Sequence, residues 1–190
     1  KSRMQTLAQE LSSGKVKDLS AHLGGDTRRV ASIDREIGLL DSFAVAGADL
    51  ARTLVQQQIL LDGANDLRVT LSTQFLAVTT GSTEMLVTES GVSGRDGFER
   101  VVGTLNATIG DRSLFAGVSD DGPAMAAAED MLADMVVSIG GATTAAGIGA
   151  ALDFWFDDPA GGFATMGYLG DTGAPPNRKI GPNETVSIDA

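Results

Sequence analysis

The sequence predicts a mainly α-helical protein: a long antiparallel helical bundle or coiled-coil rod over residues 1–117, then the start of a smaller α+β second domain over 118–190. Three observations predict it. Apolar residues recur at alternating steps of three and four far down the chain from Val30. No proline interrupts residues 1–122. Aromatic residues are only 5% of the 190, and Ala, Gly, Leu and Val fill much of the 43% apolar share, which suits thin helix-on-helix packing.

Met4, Leu7 and Leu11 place one apolar stripe on a first helix that Ser12, Ser13 and Gly14 loosen, with Val16, Leu19 and Leu23 resuming it before the Gly24-Gly25 break. Asp26 or Thr27 can cap the next helix. Its apolar positions Val30, Ile33, Ile37, Leu40, Ala44, Gly47, Ala51 and Leu54 form a heptad seam that continues through Leu61, Ala64, Leu67, Leu71, Phe75 and Val78. One helix from Thr27 to Thr80 would span on the order of 80 Å at about 1.5 Å per residue. Gln56, Gln57, Gln58 and Asn65 interrupt the seam and are expected on a solvated face. Gly81–Gly97, rich in Gly, Ser and Thr, reads as an interrupted helix end or loop. Phe98, Val102, Leu105, Ile109 and Phe115 then make a third helix, antiparallel to the second and closed by Gly117.

In the second region Asp121-Gly122-Pro123 signals a turn and helix start, and Met125, Met131, Leu132, Met135 and Ile139 share a helix that stops at Gly140-Gly141. Ala145, Ile148, Leu152 and Trp155 share the face of another, ended by Asp158-Pro159. From Phe163 the chain reads as extended, with turn residues at 170–176 and a strand at Thr185–Asp189 after the Gly181-Pro182-Asn183 turn. The sequence stops inside that strand, as expected of a piece of a longer protein.

Charge and composition exclude several chemistries. A formal charge of -11 opposes binding to a phosphate backbone, so no nucleic-acid partner is expected. The charge is uneven: Lys1, Arg3, Lys15, Lys17, Arg28 and Arg29 dominate the start, whereas Arg112 is the only cation among the many carboxylates between 111 and 171. Such asymmetry can orient neighbours in an assembly, although ordinary solubility also accounts for it. With no cysteine there is no disulfide, thiol nucleophile or zinc finger. The uncharged stretch Met135–Leu152 has membrane-span length, but Ser138, Thr143, Thr144 and four glycines dilute it, so no membrane partner is expected.

No catalytic, cofactor-binding or metal-ligating residue is assigned. Gly147-Ile148-Gly149-Ala150-Ala151-Leu152 lacks the preceding strand and acidic group of a dinucleotide loop, and close helix packing explains it better. Asp120-Asp121, Asp157-Asp158 and Asp171 lack calcium-loop spacing and suit caps and turns. His22 is the single histidine and no nucleophile motif accompanies it. Asn106-Ala107-Thr108 and Asn183-Glu184-Thr185 match the glycosylation acceptor pattern, which is common by chance. A ligand pocket near Trp155 and Tyr168 would be the place to look for an enzyme.

Three segments carry a family resemblance. Leu-Ala-Gln-Glu-Leu-Ser-Ser-Gly-Lys-Val-Lys-Asp-Leu at 7–19 resembles the Leu-Ser-Ser-Gly-Lys/Arg segment near the start of bacterial flagellins and of their relatives at the hook-filament junction. Asp-Arg-Ser-Leu-Phe-Ala-Gly at 111–117 resembles the Leu-Phe-Ser/Ala-Gly signature that closes the rod helix in the junction family, hook-associated protein 3. Gly-Gly-Phe-Ala-Thr-Met-Gly-Tyr-Leu-Gly-Asp-Thr-Gly at 161–173 is similar to the opening of that family's second domain. Gly24-Gly25-Asp26-Thr27 departs from the flagellin pattern after Ser-Ser-Gly, which favours the junction family, and Ser113 stands where that family often has Tyr.

The resemblance implies a secreted, extracellular, non-enzymatic subunit of the bacterial flagellum, exported unfolded by the type III apparatus with an export chaperone. It implies self-association in a ring or tube, with a neighbouring hook-junction protein and flagellin as partners, and a motility role as the surface on which flagellin polymerises. It also implies terminal coiled-coil segments lying outside this sequence, without which the chain should not assemble alone. A flagellin filament subunit, or a helical secreted adhesin or type III tip-like binding protein, would share the rod; an adhesin needs an anchor or signal where a junction protein has amphipathic, export-competent ends.

Overall fold

A computed structural model of the chain describes residues 2–16, 27–119, 121–174 and 177–187. Leu19, His22, Leu23, Gly24-Gly25, Asp26, Asp120 and the end of the expected last strand (Ile188, Asp189) lie outside these residues. The chain is mainly helical. Helix α1 covers Ser2–Ser13, and Met4, Leu7 and Leu11 on it are exposed.

Helix α2 runs unbroken from Arg28 to Leu76. Its 49 residues span about 74 Å at about 1.5 Å each, close to the expected length. Thr27 holds the N-cap position without a side-chain bond, so the helix start rests on backbone bonding alone. Helix α3, Glu84–Leu105, turns back along it, with Thr83 capping its first turn by accepting the Leu86 N–H. Gly97 faces Leu71 and Gly94 faces Phe75, so residues later in α3 meet residues earlier in α2 and the pair is antiparallel.

The expected loop at 81–97 is therefore mostly helix, and the third helix both starts and ends earlier than the sequence indicates. Gly94 and Gly97, read as breakers, are contact residues: a Cβ at Gly97 would collide with the Leu71 side chain. Glycine costs a helix roughly 1 kcal/mol, and here it permits the helices to approach.

After Leu105 the chain forms a short antiparallel hairpin, β1 (Thr108–Ile109) with β2 (Arg112–Ser113), rather than continuing as helix. The Leu114-Phe115-Ala116-Gly117 landmark thus follows a hairpin instead of closing a helix. Helix α4 begins at Ala128 and not at Pro123, because residues 124–126 pair with a later segment, and it ends at Gly140. Helix α5, Ala145–Asp157, is capped by Thr144, whose hydroxyl accepts the Gly147 N–H at 3.1 Å. Phe163–Gly167 is a π-helical turn where extended chain is expected. A second hairpin, β3 (Arg178–Lys179) with β4 (Thr185–Val186), closes around the expected 181–183 turn.

The buried core lies where α3, the 114–126 segment, α4, α5 and the π-turn converge. Val102, Ala116, Ala124, Met125, Met131, Met135 and Trp155 form it, so it draws from both sides of position 117. Three methionines suit a site bounded by irregular chain, since their unbranched side chains fill uneven gaps. Trp155 is 1% exposed, and its indole N–H donates to the Asp134 carboxylate at 2.7 Å.

Two residues make this core sensitive. Trp155→Ala should lower stability by about 3–5 kcal/mol, with Trp155→Phe recovering part of the loss while leaving Asp134 without its donor. Gly117→Ala should cost more than about 2 kcal/mol, because Gly117 has φ +65° and a Cβ there would meet the Asp171 carbonyl. Urea unfolding followed by Trp155 fluorescence (by circular dichroism for the Trp155 variants) checks all three; a Gly117→Ala midpoint equal to that of the parent would contradict the packing described.

Candidate interaction surface

The long helix presents two apolar stripes, and only one of them has a partner among the described residues. From Phe43 onward, Leu50, Gln57, Leu60, Ala64, Leu67 and Leu71 are buried or half-buried at steps of seven, then of three and four. This stripe meets α3 through Leu71 and the Leu114 backbone through Gln57, and α2 also contacts β3. Successive residues turn by about 100° around a helix, so the stripe containing Ala44, Ala51 and Val55 lies on another face. That second stripe is exposed.

Near the start of the helix the exposure is unbroken. Every residue from Ala31 to Ser42 is exposed, and Ile33, Ile37 and Leu40 are 48%, 51% and 50% accessible. Expected as one seam, the Val30–Leu54 and Leu61–Val78 positions thus separate into an uncovered half and a half mostly folded against the rest of the chain. Heptad spacing reports that a face is apolar; it carries no information on whether the covering surface belongs to the same chain. On α3, Met85, Val87 and Val92 are exposed as well.

The glutamines divide in the same way. Gln58 is exposed and bonds Asp62, and Asn65 is exposed and accepts from Arg68, as expected of a solvated face. Gln57 corrects the expectation. It is buried, and its amide donates to the Leu114 carbonyl at 2.5 Å, tying the Leu-Phe-Ala-Gly segment to the middle of α2.

The sequence landmarks meet in space. The Ala116 carbonyl accepts the Asp171 N–H at 3.0 Å, and the Phe115 carbonyl accepts the Tyr168 hydroxyl at 3.2 Å. Ala124 and Ala126 exchange backbone bonds with Leu169 and Gly167. The glycines of 161–173 permit this approach: a Cβ at Gly162 would displace the Trp155–Asp134 bond, and one at Gly170 would strike Tyr168. Segments 111–117 and 161–173 are therefore the two sides of one joint.

The remaining sequence candidates have structural environments of their own. Gly147 and Gly149 lie within α5. Asp158 and Asp171 accept the N–H groups of Ala160 and Gly173, two residues onward, as turn residues do. Among the described residues no three His, Asp or Glu side chains gather as a cation site. Trp155 and Tyr168 pack with Phe163 between them, at ring separations of 6.3 and 6.4 Å. Asn106 is part of the structure: its amide donates to the Met125 carbonyl and its oxygen accepts the Met125 N–H, at 3.0 and 2.7 Å. No described helix is long and apolar enough to cross a membrane.

One groove accompanies the exposed stripe. It holds about 720 Å³ between α2, the first hairpin and β3, with Ala51, Val55 and Ile109 among its apolar lining and Arg52, Arg112 and Arg178 around it. Among its described lining residues the carboxylate is Asp49, paired with Arg52 at 2.6 Å. Periodicity gives no hint of this groove, because its arginines come from three separate elements. No protein-family model, curated protein or solved structure matches the chain.

Gln57→Ala should destabilise the chain by about 1–3 kcal/mol, since it strands a buried carbonyl. Ser113→Ala should instead be neutral or stabilising by up to about 1 kcal/mol, because the buried Ser113 hydroxyl has no partner. Thermal denaturation of the two variants side by side tests the pair of signs.

Proposed function

We propose that this chain is a non-catalytic structural subunit of the bacterial flagellum, of the hook-filament junction kind, acting outside the cell after type III export. The observation that carries the reading is the 49-residue α2 helix with its apolar stripe left uncovered from Ile33 onward. A rod of about 74 Å with one folded face and one unpartnered apolar face is suited to side-by-side packing in a ring or tube. There α2 and α3 contribute to a helical bundle with supercoiled, coiled-coil-like contacts.

The three landmark segments support the flagellar assignment, and two of them form the joint beside the rod. The core at that joint stiffens the junction between the long helix and the region after residue 117. The mechanism is mechanical: no bond is made or broken, and neighbouring hook-junction protein and flagellin are bound through helix faces. The growing filament then starts on a surface already holding the right rod spacing.

Deleting the encoding gene should leave hooks intact while flagellin accumulates in the medium. Replacing Ile33, Ile37 and Leu40 together by Glu should reproduce that phenotype with the variant protein still exported and its urea midpoint close to that of the parent, because these side chains contribute little to the folded chain. Normal filaments on the deletion strain would remove the assignment.

A further inference from the structure

Each end of the charge distribution carries an unpartnered helix face. Residues 113–177 contain carboxylates and no Lys, Arg or His, whereas Lys1, Arg3, Lys15, Lys17, Arg28 and Arg29 outnumber Glu10, Asp18 and Asp26 at the start. In the acidic part, Glu129, Asp130, Ala133, Val136 and Val137 share one side of α4 by helical spacing and all are exposed, the two valines at 68% and 76%. Met131 and Met135 on the other side are buried in the core, so this face stays outward. Neither Glu129 nor Asp130 pairs with a cation among the described residues.

Helix α1 carries the complement. Arg3 flanks the stripe Met4, Leu7 and Leu11, which are 79%, 57% and 88% accessible, and it pairs with no carboxylate among the described residues. Gly14, at φ +65°, follows the last helical residue, so Lys15 leaves the helix and Arg3 is the cation beside the stripe.

We propose that α1 of one copy lies parallel on the outer face of α4 of a second copy. Both faces run charged end first: Arg3 and then Met4, Leu7 and Leu11 on α1, Glu129 and Asp130 and then Ala133 and Val136 on α4. Laid side by side in that direction, Met4 falls at Ala133, Leu7 at Val136 and Leu11 at Gly140, so the longer side chains at the two ends meet small residues. Helical side chains lean toward the N-terminus, which aims Arg3 at the carboxylates of the first turn of α4. Reversing α1 would carry Arg3 to the far end of α4, inside the stretch Met135–Leu152 that has no charge, and the pairing would be lost. The uncovered start of α2 is a poorer seat for α1, because it mixes Arg29 and Arg35 with Asp34 and Glu36.

A helix of one copy on a different helix of the next is a heterologous contact, which closes into a ring or propagates as a helix. The inference rests on the assembly reading above and names a surface for it distinct from the exposed stripe of α2. A contact of this size is weak, so the α2 stripe supplies additional binding and the charge pairing sets direction.

Cysteine cross-linking tests it on the purified chain, which has no cysteine of its own. Met4→Cys copies mixed with Ala133→Cys copies and oxidised should form a disulfide-linked mixed dimer, identified by mass. Its yield should exceed by about tenfold that of Leu11→Cys copies with the same Ala133→Cys copies, since Leu11 lies about two turns away in the parallel arrangement. Each copy holds one cysteine, so a mixed dimer reports contact between copies. Adding Glu129→Arg and Asp130→Arg to the α4 copy should abolish the excess, and adding Lys1→Glu and Arg3→Glu to the α1 copy should restore it. The excess should also fall as salt is raised. Equal yields for the Met4 and Leu11 pairs, a larger yield for Leu11, or charge reversal without rescue would overturn the contact.

The two readings fail separately. If the cross-link is absent but the gene deletion still releases flagellin, the α1–α4 contact is wrong and the assembly role stands. If the cross-link forms and filaments are normal without the gene, the contact stands and the junction assignment does not.

Discussion

The structure depends on one close approach of two irregular backbone segments, 114–126 and 163–171, held by hydrogen bonds around Trp155 and its neighbours. Neither segment satisfies all of its own backbone groups, so each uses the other: Ala116 with Asp171, Ala124 with Leu169, Ala126 with Gly167. The glycines at 117, 162 and 170 let the backbones and rings come within contact distance. From this joint α3 leaves on one side while α4 and α5 are clamped on the other. Through Gln57 and Leu114 the joint also reaches the middle of α2.

Much of the architecture was legible because it rests on local rules. The unbroken helix over 28–76 follows from apolar spacing and absent proline, and α5 follows from the shared face of Ala145, Ile148, Leu152 and Trp155 and the Asp158-Pro159 stop. What was misread depends on tertiary contact. Gly94 and Gly97 carry the same local signal whether they break a helix or let another helix approach, and only Leu71 and Phe75 decide between the two. Leu105 to Phe115 keeps an apolar spacing compatible with helix, yet the Asn106 side chain bonds the Met125 backbone and the chain turns into a hairpin instead. Gln57 looked like its neighbour Gln58 in sequence, and the single difference is that Leu114 lies over it.

The candidate surface divides along the same line. The apolar character of Ile33, Ile37 and Leu40 was readable from spacing, whereas their exposure was not, since exposure depends on where α3 stops covering α2. Helix α3 has 22 residues against 49, and every residue of α2 from Ala31 to Ser42 is left exposed. The groove was wholly hidden in sequence, because Arg52, Arg112 and Arg178 come together only when β3 lies on α2.

The two surfaces have different physical capabilities. An apolar stripe is non-directional: Ile33, Ile37 and Leu40 gain from being covered by any complementary helix, and sliding by one turn costs little. Alone it would yield association without a fixed register. Charged groups in a shaped groove behave in the opposite way, adding little affinity when solvent-exposed but penalising displacement, because a shifted carboxylate leaves its guanidinium and a phenyl ring leaves its apolar floor. In the proposed assembly the stripe supplies adhesion along the rod, and register must come from a directional contact of the second kind.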